Sequence, residues 1–270
     1  MLLVVMVAGL FGGVVSGIAG LGAGIAALPV LLYGPELLGL DPLSIKEVTG
    51  LTVVQSLTSG IVNLVRHHGA GYVHRPLVMR IGVPAGVAAL IGALVSRLMP
   101  DVALLAMMAA MTLTASLVMV FPGVLGARKR SAPEAEWQAQ SQAIGAGSPP
   151  YDRGWASVMG VLVGGAGGIS GLPGAFLLVP LMIYRLGIPT RIAIGSNLGI
   201  MLFASGAALA GKLGGSLVPL YPALVITGSA MTAALVGYEI NRRLSPRHLR
   251  GILAVLVAAT AVRVLVDVFV

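Results

Sequence analysis

Residues 9–33 and 160–184 are two copies of one apolar, glycine-rich segment, aligned without a gap at an offset of 151 residues. The matched pairs are Gly9/Gly160, Gly13/Gly164, Gly17/Gly168, Ile18/Ile169, Gly20/Gly171, Leu21/Leu172, Pro29/Pro180 and Tyr33/Tyr184. Apolar segments interrupted by Gly and Pro at corresponding places in two halves of a membrane chain point to a substrate site made of broken helices. The repeat therefore predicts a transporter-like architecture, provided that lipid is the solvent.

Composition supplies that condition. With 57% hydrophobic and 10% charged residues, and a mean hydropathy of +0.98, the 270-residue chain has more apolar surface than a soluble core of its size can bury. Long uncharged stretches, 2–32, 48–65, 81–96, 102–124, 155–184 and 213–238, each suffice to cross or loop into a hydrocarbon layer of about 30 Å. Open sheets cannot span lipid, and a barrel shows alternating short segments, so the fold is expected to be all-helical. Residues 1–10 lack the basic start and small-residue cleavage site of a removable signal peptide, and read as the first membrane element. Without cysteine there are no disulfides, thiolate metal sites or Cys nucleophiles.

The net charge of +8 is arranged as topology determinants, in short clusters between apolar spans, so no nucleic-acid partner is expected. Eight simple crossings divide the basic residues evenly between the two sides. A different threading does better: each repeat is a hairpin of two short helices, hinged at 17–24 and 168–174, that enters and leaves on one side. Thirteen Lys and Arg then share a face, in clusters from Arg66, Arg128, Arg185 and Arg242 onward, against three opposite: Lys46, Arg97 and Lys212. The positive-inside rule places both termini outside. One hairpin plus three crossings is an odd number of side changes, so the second half lies upside down relative to the first.

The expected fold is an all-α polytopic membrane protein with two inverted repeats, residues 1–125 and 155–270, each a broken-helix hairpin plus three transmembrane helices. Residues 126–154, rich in Ala, Gln, Ser and Pro, read as a mobile cytoplasmic linker. Crossings are predicted near 45–66, 76–97, 102–121, 191–212, 216–242 and 246–267. Small lipid-facing residues permit a homodimer.

The second helix of each hairpin starts inside the membrane, and its first amides have no helical acceptor. The candidate anion cradle is therefore Gly20, Leu21, Gly22, Ala23 and Gly24 in one copy, and Ser170, Gly171, Leu172, Pro173 and Gly174 in the other. Proline suits the first turn of a helix, as Pro173 would. The alternative is that the glycines serve tight helix packing, which is the reading for Gly82, Gly86 and Gly92.

A weaker match at an offset of 147, with Pro42/Pro189, Ile45/Ile192 and Thr49/Ser196, places Thr49, Thr52, Gln55 and Ser56 on one span and Ser196, Asn197 and Ser205 on its counterpart. Thr52, Gln55 and Ser59 share a helical face. They either hydrogen-bond between helices or line the substrate path.

Over nearly its whole length the chain resembles the TauE/SafE family of sulfite and sulfonate exporters. The resemblance rests on Gly17-Ile-Ala-Gly-Leu-Gly-Ala-Gly-Ile-Ala-Ala-Leu-Pro29, Gly168-Ile-Ser-Gly-Leu-Pro-Gly-Ala-Phe-Leu-Leu-Val-Pro180, and the His67-His-Gly-Ala-Gly-Tyr-Val-His74 turn. In the first copy Ala23 interrupts a glycine run that is often continuous in the family. The resemblance implies paired four-segment repeats in a bacterial inner membrane that export sulfite, sulfonates or related organosulfur anions.

No embedded carboxylate is evident, and His67, His68 and His74 read as a basic cytoplasmic loop, so export is expected to run on membrane potential without a proton relay. Neither a cofactor nor a metal site is expected. Other readings are a passive anion channel or an importer of the same build, or, from Gly168-Ile-Ser170-Gly171, an intramembrane serine protease that would need His248 as its base. A dinucleotide fold fails for want of the strand and acidic residue its glycine motif requires.

Overall fold

Left-handed backbone costs an L-residue roughly 1–2 kcal/mol, and glycine escapes that cost, so a helix ends cheaply where glycine follows. A computed structural model describes residues 1–20, 22–69, 71–120, 137, 151–172, 175–213, 218–245, 248, 251 and 255. Helix α1 (Leu2–Ala19) stops at Gly20, with φ 64°, and α2 (Gly24–Leu37) starts after Gly22, with φ 81°. Next come α3 (Ile45–Gly69), α4 (Arg75–Ser96) and α5 (Asp101–Val120). In the second half α6 (Arg153–Ser170) stops at Gly171, with φ 72°, and α7 (Ala175–Tyr184) follows. Then come α8 (Thr190–Leu213) and α9 (Leu220–Arg243). Among the described residues there is no strand.

The starts and ends of α1 and α6, and the starts of α2 and α7, obey the 151-residue offset that the sequence repeat predicts. α3, α4, α8 and α9 are long and apolar enough to cross a membrane. The crossing expected at 246–267 lies almost wholly outside the described residues.

The glycine stripes answer the packing question. Gly9, Gly13 and Gly17 lay α1 against Ser229, Ala230 and Ala234 of α9, while Gly160, Gly164 and Gly168 lay α6 against Ile81, Ala85 and Ala89 of α4. Each first helix thus rests on a helix of the other half. A side chain at Gly13 or Gly164 would run into the facing backbone. This corrects the hinge bounds: Gly17 and Gly168 are packing residues inside helices, and the breaks begin at Gly20 and Gly171. Gly82, Gly86 and Gly92 also pack, against Phe203 and Gly165.

Side-chain contacts fix which ends lie together. The Val4 side chain meets Gly34, and Arg185 stands 4.7 Å over the Trp155 ring, so α1 with α2 and α6 with α7 each fold back on themselves. Near the latter opening, Arg80 donates to Arg153 O at 3.4 Å, Arg191 to Leu244 O at 2.7 Å, and Tyr238 to Arg66 O at 3.2 Å. At the far ends of α4 and α8, Lys46 reaches Arg97 O at 3.4 Å and Arg97 donates to Gly211 O.

α3 and α8 are the most enclosed spans. The expected linker is anchored at two points: Trp137 and Tyr151 are buried, with ring centroids 4.9 and 6.3 Å from His74.

Candidate functional site

Every polar side chain on the inner stripe of α3, from Thr49 through Thr52, Gln55, Ser56, Ser59 and Asn63, is fully buried. Spans shield such groups only where other groups take up their hydrogen bonds, or where a path for polar guests runs. Both occur.

Thr52 Oγ1 donates to the Gly171 carbonyl at 2.9 Å, with Thr49 O at 3.0 Å as a second acceptor in reach. Asn197 Nδ2 donates to the Gly20 carbonyl at 2.7 Å. The two left-handed caps are thereby held from opposite halves. Gln55 Nε2 donates to Ala8 O and Gly9 O at 3.0 and 3.3 Å, and Asn63 Nδ2 to Ser16 Oγ at 3.2 Å. Ser16 and Ser59 share a further bond at 3.2 Å. Ser196 accepts from His74 N at 3.0 Å, so it anchors the turn before α4.

Four sequence-expected elements do come together. A Cβ built on Gly24, the first residue of α2, would stand 3.2 Å from Leu172 Cδ2, 3.2 Å from Thr52 Cβ and 3.3 Å from Ser56 Oγ. Glycine there leaves the start of α2 bare toward both the second break and α3. Ser56 Oγ is fully buried and makes no hydrogen bond among the described residues; Gln55 Oε1, Asn63 Oδ1 and Asn197 Oδ1 are likewise unpartnered. Ala23 is buried beside them and starts the helical ladder by accepting from Ala27 N at 3.1 Å. Leu21, Pro173 and Gly174 lie outside the described residues.

Ser170 is occupied. Its hydroxyl lies 3.4 Å from Met111 Sδ and 3.5 Å from Gly167 O, and it accepts from Leu172 N at 3.3 Å, while His248 bonds Ser245. A nucleophile needs a base in reach, and this serine has none among the described residues around it.

The histidines correct an expectation. α3 continues past the predicted end at 66, so His67 lies in its last turn, 2% exposed, with its ring 5.0 Å from that of Tyr238. Neither ring nitrogen has a partner among the described residues. A buried histidine therefore sits in the last turn of α3, where a loop was expected. His74 caps α4 by accepting from Leu77 N on Nδ1 at 3.3 Å, and burial holds its pKa below the usual value.

Sequence reasoning placed His67 in a loop and missed Asn63 and the contacts of Lys212. A signal existed for the first two, since 52, 56, 59, 63 and 67 follow helical spacing throughout. Lys212 was counted only as a topology charge.

The model of the sulfite exporter TauE/SafE family matches residues 5–264. The chain belongs to the TauE/SafE family. A TauE/SafE protein is a membrane transporter, so this one is a multi-pass transport protein and not an enzyme. No curated protein and no solved structure matches it. The buried breaks and the polar stripe of α3 thus belong to a transporter of the sulfite exporter TauE/SafE family.

Proposed function

We propose that the protein exports sulfite or small sulfonates such as sulfoacetate, bound near the bilayer midplane between the start of α2 and the second break. The observation that carries this reading is Ser56: a buried hydroxyl donor without an acceptor among the described residues, 3.3 Å from the Cβ position of Gly24 and beside Leu172. An anion oxygen satisfies that hydroxyl and the free amides of a helix start together. Thr52 and Asn197 hold the two caps; Thr49, Gln55 and Gly22 complete the wall, with Gly20, Gly171 and Leu172 shaping the breaks.

The same reading makes residues 1–125 and 155–270 inverted repeats joined by a cytoplasmic linker, 126–154, in a bacterial inner membrane with both termini outside. Reciprocal packing of α1 on α9 and α6 on α4 supports it, as do the basic side chains gathered where α6 starts and α7 ends. An inverted build gives two related arrangements of one site, which alternating access requires. A homodimer is compatible with this arrangement.

Flux of sulfite, sulfoacetate, taurine and thiosulfate into vesicles of known orientation tests the function. Saturable transport that prefers sulfite and sulfonates is expected. One flat rate for every small anion makes the protein a channel, and uptake against the proposed direction makes it an importer.

A further inference from the structure

The three basic residues that the charge tally leaves on the minority side meet at one place. Lys212, in the last turn of α8, is 1% exposed, and its Nζ donates to Thr49 Oγ1 and Ser96 Oγ, both at 3.2 Å. Arg97 bonds the carbonyl of Gly211, the residue preceding Lys212, and Lys46 reaches the Arg97 carbonyl at 3.4 Å. Among the described residues no carboxylate pairs with any of the three; the ion pairs are those of Glu239 with Arg242 and Arg243, on α9.

A buried ammonium beside a second cation is costly unless a negative charge joins them. Helix-end capping explains Arg97, which donates to the Gly211 carbonyl of α8, but not Lys212, whose ammonium faces two hydroxyls. Those hydroxyls already donate elsewhere, Thr49 to Lys46 O at 2.8 Å and Ser96 to Ala93 O at 2.7 Å. They need nothing from Lys212. An ammonium has three donors, and one has no acceptor among the described residues. The place adjoins the transport path, because the backbone of Thr49 packs directly on Gly171.

We propose that Lys212 and Arg97 form a second anion site, next to the Gly171 break, that binds a small oxyanion of the sulfite or sulfonate class on its way to or from the midplane. This rests on the anion-transport reading above, and it adds a fixed positive charge that the helix-end cradle lacks. The ammonium's burial favours a free anion over a lipid headgroup.

The test uses the full chain purified in neutral detergent, with thermal unfolding followed in methanesulfonate or sulfite against a bulky organic anion at equal ionic strength. Wild type is expected to gain stability with the small anions, and K212M to lose the part of that gain that the midplane site does not supply, while melting at or above wild type in their absence. K212R retains the gain, and R97Q, at a less buried position, weakens apparent affinity about tenfold, as loss of a charged partner does. R97Q keeps the test alive if K212M does not fold. A K212M that melts well below wild type without any loss of anion response overturns the proposal, as does an R97Q with unchanged affinity. Equal stabilisation of wild type, but not K212M, by phosphatidylglycerol without sulfite or sulfonate overturns the assignment to a free anion. Failure of this site alone leaves wild-type flux of sulfite intact; absence of that flux removes the transport reading itself.

Discussion

Asn197 of the second half donates to the carbonyl of Gly20, the left-handed cap of the first helix in the first half, at 2.7 Å. Thr52 does the converse for Gly171, at 2.9 Å. Under the 147-residue offset these donors are not matched residues, since Asn197 faces Gly50 and Thr52 faces Gly199. The repeats thus reach the same relationship with different side chains. Any rearrangement of one break must be negotiated with a helix of the other half.

Removing that donor leaves a buried carbonyl short of its partner. Asn197→Ala is expected to cost about 1–3 kcal/mol of stability and to lower transport, read by thermal melting in detergent and by vesicle flux. Unchanged values in both would mean that the clamp does not hold the break.

Glycine positions divide sharply by what faces them. Gly164 abuts Ala85 backbone, whereas Gly228 of α9 has nothing within 4 Å of a built Cβ. Gly164→Val is expected to abolish monodisperse folded protein. Gly228→Ala is expected to fold normally and to gain up to about 1 kcal/mol from helix propensity. Size-exclusion profiles and melting curves of the two variants check the contrast.

Much of this was legible because membrane sequences carry few confounding signals. The duplicated Gly-Ile-X-Gly strings located both breaks, since a left-handed cap favours glycine at 20 and at 171. The same strings hid a second role, because Gly17 and Gly168 serve close helix approach and sequence does not distinguish the two uses. Basic residues read in the sequence as topology charges gave no sign of their contacts: that Lys212 meets Ser96 and Thr49 depends on three helices converging. His67 was placed in a loop because His and Arg mark span ends, yet α3 runs on to Gly69 and buries the ring.

Ser56 separates binding from folding. Because its hydroxyl has no protein partner among the described residues, Ser56→Ala removes nothing that the resting fold uses. The expected result is an unchanged melting temperature with an apparent KM for sulfite raised about tenfold, the loss of one hydrogen bond to a charged group. A fall in stability with transport unaffected would reassign Ser56 to the scaffold.

His74 predicts an acid limb. Burial holds its folded pKa below the unfolded value of about 6.5, so the folded state binds fewer protons, and its contribution is complete above that pH and fades as pH falls through it. Protonation also removes the Nδ1 acceptor that caps α4. Melting temperature should drop between about pH 7 and pH 5, and His74→Asn, which keeps a capping oxygen, should drop less. Parallel pH curves for the two proteins would contradict this.

The most direct measurement is a solved structure of the full chain with a bromine-bearing sulfonate, the anion located by its anomalous signal. The account predicts a peak within hydrogen-bonding distance of Ser56 Oγ, at the start of α2 and beside Leu172. A peak only on the outer surface, or α1 and α6 running unbroken through Gly20 and Gly171, would contradict it.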